Sequence, residues 1–232
     1  MSTGVDLTRA VHRDLAVLPR QDAPSVRMIR RRYSSALKAE SSEVVLRFVS
    51  SLLKSAGWAE RVVAWETLAS HQGAVDLLDD RLAEEMAEGL SDWASVDLFG
   101  VTVLGQAWRE GRVTDSKILS WTRSPDRWRR RLALVATIPL NSRARGARGG
   151  RGDSLRTLRV CRALLADRDD MVVKAMSWAL RELAKRDPKA VADFIRDEDD
   201  RLAPRVRREV LNKLKTGLKS PRRRVKKNQK AS

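Results

Sequence analysis

The chain has one cysteine, Cys161, and only two histidines, His12 and His71, among 232 residues. A single cysteine excludes an intramolecular disulfide and fits a reducing compartment. So few histidines and cysteines exclude a Cys/His zinc site and an iron–sulfur centre. No Gly-x-x-x-x-Gly-Lys-Ser/Thr phosphate loop and no serine in a nucleophile elbow is present. Both histidines read as structural or solvated, on helices without a catalytic partner. No apolar run approaches the ~20 residues needed to span a bilayer. The first thirty residues mix Asp6, Arg9, His12, Arg13 and Asp14 into any apolar stretch, which excludes a signal peptide. No segment alternates as a strand would. A soluble cytoplasmic protein is expected, nucleoid-associated if bacterial, with no membrane, metal or small-molecule cofactor among its partners.

What is abundant is positive charge. Lys and Arg number 47 against 30 Asp and Glu, a formal charge of +17 with pI near 11.0. Such a surplus concerns partners and not fold. A basic surface gains by releasing counterions from phosphates, so nucleic acid fits better than an anionic membrane or an acidic protein. Two segments carry +10 of the +17: Asn141–Ser154, with Arg143, Arg145, Arg148 and Arg151 against Asp153, and Lys219–Ser232, with seven basic residues and no acid.

Apolar residues recur at three and four, as in Val44, Phe48, Ser51, Leu52, in Val62, Trp65, Leu68, Ala69, and in Leu155, Leu158, Cys161, Leu165. With Gly and Pro at short intervals, this predicts about a dozen helices of roughly 10–18 residues. Ser124-Pro125-Asp126 and Asp187-Pro188 read as helix starts, capped by Ser124 and Asp187. Units of about 35–45 residues favour HEAT-like pairs of antiparallel helices over a bundle. Four glycines make 141–152 a flexible insert, and 219–232 reads as a disordered basic tail beyond a single domain over 1–218.

Three elements carry chemistry. Trp93 and Asp97 stand four apart, which on a helix places an indole and a carboxylate on one face. The apolar run Leu98–Leu104 follows, where an ionised carboxylate costs several kcal/mol unless stabilised. In so basic a chain, a cation arriving on nucleic acid is its natural complement. Second, Trp178 lies off the packing stripe Val172, Met176, Leu180, Leu183, among Lys174, Arg181 and Lys185. That suits an aromatic meeting a nucleic-acid backbone, and equally one packing beneath lysine stems. Third, Arg127, Arg129, Arg130 and Arg131 open a helix whose apolar face is Trp128, Leu132 and Val135; such a run is often merely solvated. Trp58 and Trp65 read as core.

These motifs resemble those of the AlkD-type DNA alkylation repair proteins, the HEAT-like repeat DNA glycosylases. Trp93-Ala94-Ser95-Val96-Asp97 is similar to their Trp-Asp-Ser-Val-Asp-like run, and Trp128-Arg129-Arg130-Arg131-Leu132-Ala133 to their Trp-then-arginine helix. Lys174-Ala175-Met176-Ser177-Trp178-Ala179-Leu180-Arg181-Glu182-Leu183-Ala184-Lys185 is similar to a third stretch, and Leu202-Ala203-Pro204 with Arg208-Glu209 to a fourth. The resemblance spans roughly 24–216. The insert at 141–152 departs from it, and Met28 stands where the family has a tyrosine.

The resemblance implies an all-α fold, a right-handed superhelical solenoid of HEAT-like antiparallel helix pairs with a concave basic face. It implies a monomeric, monofunctional DNA glycosylase removing N3- or N7-alkylated purines from duplex DNA. Asp97, Trp93, Trp178 and Arg131 are then the catalytic residues. Asp97 stabilises the sugar cation, the two indoles flank it, and Arg131 holds a phosphate. Arg127, Arg130, Lys174, Arg181 and Lys185 are then DNA-binding cations, and the charge of the insert, with Arg143, Arg145, Arg148 and Arg151, is expected to add non-specific DNA affinity. The alternative is a non-catalytic HEAT-like protein that binds distorted or branched DNA.

Overall fold

A computed structural model describes residues 4–55, 57–142 and 152–220. Arg143, Arg145, Arg148 and Arg151, and most of the basic tail, lie outside the described residues. Within them the chain is helical with no strand. The helices are α1 (Gly4–Ala16), α2 (Ala23–Ala36), α3 (Ser42–Leu53), α4 (Trp58–Ser70), α5 (Gln72–Asp76), α6 (Asp80–Met86), α7 (Trp93–Phe99) and α8 (Gly105–Arg109). There follow α9 (Asp115–Trp121), α10 (Arg127–Val135), α11 (Ile138–Asn141), α12 (Ser154–Ala163), α13 (Asp170–Leu183), α14 (Pro188–Asp197) and α15 (Pro204–Thr216). A π-helical turn, Gly100–Leu104, joins α7 to α8. Several of these are shorter than expected, because side-chain caps end and restart the chain every few turns.

Those caps are visible in the sequence. Asp92 accepts from Ser95 N to start α7, Asp126 from Trp128 N to start α10, and Asp169 from Met171 N to start α13. Asp187 caps α14 with Pro188 in the first turn, as expected. At α10 the cap is Asp126 and not Ser124, whose hydroxyl instead accepts from the Asp126 N–H. Asn141, assigned to the flexible insert, closes α11 and is fully buried; its amide donates to Thr137 O and Thr157 Oγ1. His71 is likewise a cap: its Nδ1 accepts from Ala74 N at the start of α5.

Packing sorts the helices into rows. α2, α4, α7, α10, α13 and α15 pack one against the next in that order, and α1, α3, α9, α12 and α14 pack against them. The first row is the surface on which the site is built. On α13 the stripe Val172, Met176, Leu180 and Leu183 is buried as expected, widened by Val173, Ala175 and Ala179. Trp65 is 1 % exposed and packs on Phe99 with ring centroids 5.3 Å apart. Trp58 is not core: it is 36 % exposed, because it is the first residue of α4 and the buried face begins at Ala59 and Arg61. Leu155 is exposed too, since the buried face of α12 centres on Thr157, Val160 and Cys161. Burial holds the Cys161 thiol near 12, so it is inert.

Two glycines set how closely the turn after α7 and the start of α8 approach α10 and α11. A Cβ on Gly100 would stand 2.7 Å from Val135 Cγ1, and one on Gly105 2.5 Å from the Ala136 carbonyl oxygen and 2.7 Å from the Pro139 ring. Backbone cannot retreat as a side-chain tip can. Gly105→Val should therefore destabilise by about 2–3 kcal/mol through overpacking, read as a fall in melting temperature. An unchanged melting temperature would show that the spacing of α8 from α10 and α11 is slack.

Candidate active site

The site is assembled by polar bridges between neighbouring helices of the first row. Arg61, on the first turns of α4 and 7 % exposed, reaches the start of α7. It donates to Asp92 Oδ2 at 3.3 Å, Ser95 Oγ at 2.9 Å and the Gly89 carbonyl at 3.0 Å. This fixes the N-terminal end of α7. One turn further along, Asp97 faces α10. Arg131 Nε donates to Asp97 Oδ1 at 2.9 Å and Nη2 to Oδ2 at 2.7 Å, while Nη1 donates to the Met171 carbonyl on α13. A planar guanidinium forked on both carboxylate oxygens is the strong, orienting form of the pair.

This geometry changes two expectations. The cation that complements Asp97 is supplied by the chain itself, and Asp97 does not simply face outward. Its side chain is 18 % exposed against 7 % for Arg131. Arg131 is largely engaged by Asp97 and α13: three of its five N–H groups have part-buried acceptors and the side chain is 7 % exposed, so its first role is to hold the carboxylate.

Burial pushes the Asp97 carboxyl above the ordinary aspartate range. Arg131 pulls it down through hydrogen bonds and charge, and Asp92 adds to the rise. A raised folded-state value means the native protein holds this proton more tightly than the unfolded chain does. Its contribution to stability is therefore full below the ordinary value of about 3.9 and is lost as pH rises through the raised one.

Two tryptophans share the helices that carry the pair's contacts: Trp93 one turn before Asp97 on α7, and Trp178 two turns beyond Met171 on α13. Trp93, the first residue of α7, is 58 % exposed. Trp178 is half-buried and packed against the apolar core. Neither indole N–H has a partner among the described residues. By contrast, Trp108 donates to Asp115 and Trp121 to Glu84, as structural tryptophans do.

The cations expected to bind nucleic acid are mostly paired. Lys174 is 2.6 Å from Asp170, and Lys185 is 2.6 Å from Glu182. Arg181 is half-buried between Ser177 and Glu209. Arg130 ties Asp167 to the Ser124 and Pro125 carbonyls, holding the turn before α10. Arg127 remains half-exposed, stacked over Trp128 at 4.9 Å and 3.6 Å from Asp169. On α2, Met28 is 56 % exposed, whereas Tyr33 is core: its hydroxyl donates to Asp14 and its ring stacks on Phe48.

Arg61 was missed by the sequence reading. Its signal was there: Trp58-Ala59-Glu60-Arg61 repeats the spacing of Trp128-Arg129-Arg130-Arg131. Among the described residues, no group of three or more His, Cys, Asp or Glu side chains is placed to hold a metal ion, and no helix is long and apolar enough to cross a membrane. The arrangement therefore offers one oriented, half-shielded carboxylate beside an open indole.

Comparison with known proteins agrees with these motifs. The sequence model of a family described as DNA alkylation repair enzyme matches residues 22–214. A search of curated proteins finds no match.

Proposed function

The chain belongs to the DNA alkylation repair enzyme family, and from that premise we propose that it is a monofunctional DNA glycosylase. Its substrates are cationic N3- and N7-alkylated purines in duplex DNA, and it hydrolyses their N-glycosidic bond. The observation that carries this reading is the Asp97–Arg131 pair, a carboxylate held in one orientation by two hydrogen bonds, a turn beyond the exposed Trp93.

The chemistry follows from the substrate. Alkylation at N3 or N7 leaves the purine positively charged. When the C1′–N bond breaks, its electron pair goes to the base, which departs neutral and needs no acid. That suits a site without a histidine. The positive charge moves to the deoxyribose, which becomes oxocarbenium-like, as in other glycoside cleavages. Asp97 is the group that stabilises this cation. Each of its oxygens keeps lone-pair capacity beyond its bond to Arg131, enough to orient a water toward C1′ and take its proton as the C1′–O bond forms. Arg131 acts one step back: it holds the carboxylate in place and favours its ionised form. Trp93 and Trp178 offer electron-rich faces to a cationic ring. The solenoid's basic face supplies the affinity for a monomer's footprint on the duplex.

Purified protein incubated with methylated duplex DNA is expected to release 3-methyladenine or 7-methylguanine and leave an abasic site. Binding without release would favour the non-catalytic alternative. Because Asp97 works ionised and its carboxyl is raised by burial, the rate should climb with a slope of one through an acid limb above about pH 4. A pH–rate profile for kcat/KM checks this, and a flat profile from pH 4 to 8 would remove Asp97 from the reaction.

A further inference from the structure

Trp58, Trp93 and Trp128 stand 35 residues apart in each case, and the fold turns that interval into a surface. The three residues open three consecutive helices of the first row: Trp58 and Trp93 are the first residues of α4 and α7, and Trp128 is the second of α10. Each indole stands one turn before the side chain that bridges to a neighbouring helix. Arg61 follows Trp58 and reaches α7; Asp97 follows Trp93 and meets α10; Arg131 follows Trp128 and meets α7 and α13. The bridges place the N-terminal ends of these helices side by side, which sets the three indoles along one edge, Trp93 open, Trp58 partly so and Trp128 partly buried against the core.

Packing does not explain Trp58. It is 36 % exposed, its indole N–H has no partner among the described residues, and it contributes no ring contact to the core. One such aromatic is ordinary on a surface; its recurrence at the start of adjacent helices is what marks a contact surface. Cations border the edge: Lys54 before α4 and Arg123 before α10 are both exposed, and Arg127, paired with Asp169, stacks on Trp128. The nearby acids Asp92 and Asp126 are occupied as helix caps.

We propose that Trp58 is a further DNA-contacting residue, the outermost rung of a ladder with Trp93 and Trp128 that packs on the sugar-phosphate backbone of the strand flanking the lesion. This rests on DNA being the substrate. Neighbouring helices lie about 8–10 Å apart, so three rungs span about 20 Å, some six base pairs of duplex at 3.4 Å each. Indoles suit this task because an apolar ring face packs on deoxyribose and its N–H can reach a phosphate oxygen, whatever the base sequence.

The test is binding of a duplex of about 20 base pairs, methylated or unmodified, over a range of salt. Trp58→Ala should weaken binding at least about 5-fold, the scale of truncating an aromatic that contributes to an interface, without changing the salt slope. Lys54→Ala should instead lower that slope by about 0.9. Leu155→Ala, an apolar truncation on α12 at an even more exposed position, should bind as the wild type does. Trp58→Phe should give an intermediate loss, and serves alone where the alanine variant melts early. Wild-type affinity in both Trp58 variants overturns the proposal. Because unmodified duplex suffices, a wild type that binds but releases no base would sink the glycosylase reading alone.

Discussion

Asp97→Asn should lower alkylpurine release by about 10²- to 10³-fold, the scale of losing one preorganised group aimed at transition-state charge. Asparagine keeps the shape and one acceptor for Arg131, but it removes the negative charge that offsets the oxocarbenium. The loss should fall on the single-turnover rate, with little change in the affinity for undamaged duplex, because Asp97 is 18 % exposed and not part of a phosphate-contacting surface. The variant should also be somewhat less stable, since Arg131 is left as a buried cation with a weakened partner. Equal release by variant and wild type would place the chemistry elsewhere.

Arg131→Met should have the largest effect on stability, about 3–5 kcal/mol, because removing one partner of a buried pair strands the other. Three acceptors depend on this one side chain: both oxygens of Asp97 and the Met171 carbonyl. Without the guanidinium, burial goes unopposed and the Asp97 carboxyl rises further. Excision at neutral pH should fall through protonation and misorientation together. The double variant Asp97→Asn/Arg131→Met separates the causes: it should recover part of the melting temperature, as no charge is then left unpaired, and none of the activity. If the double variant is no more stable than Arg131→Met, the pair is not what holds α7, α10 and α13 in register.

The parts of this molecule that were legible in its sequence are those governed by local rules. The Asp187-Pro188 start, the α13 stripe and the Trp93–Asp97 spacing depend on residues within a turn or two of one another. The partner of Asp97 was not legible, because residues 97 and 131 meet only once α7 and α10 are packed, and nothing near either residue announces the other. The same blindness made Lys174, Arg181 and Lys185 read as open cations, although Asp170, Glu209 and Glu182 bind them. Trp58 was misread for a related reason: apolar periodicity identifies a face but not where the helix begins. The π-helical turn at Gly100–Leu104 left only Gly100 and Gly105 as hints, and the clash each Cβ would meet explains both.

The central claim is electrostatic: the carboxylate of Asp97, steered by Arg131, favours a sugar that has become a cation. It is tested most directly with two duplexes that differ only at one abasic position, one carrying a cationic pyrrolidine ring and the other a neutral tetrahydrofuran. Transition-state mimics bind at least about 10²-fold tighter than neutral counterparts, so the wild type should prefer the pyrrolidine duplex by that margin and Asp97→Asn should lose the preference. Equal affinity of the wild type for both duplexes would contradict the account.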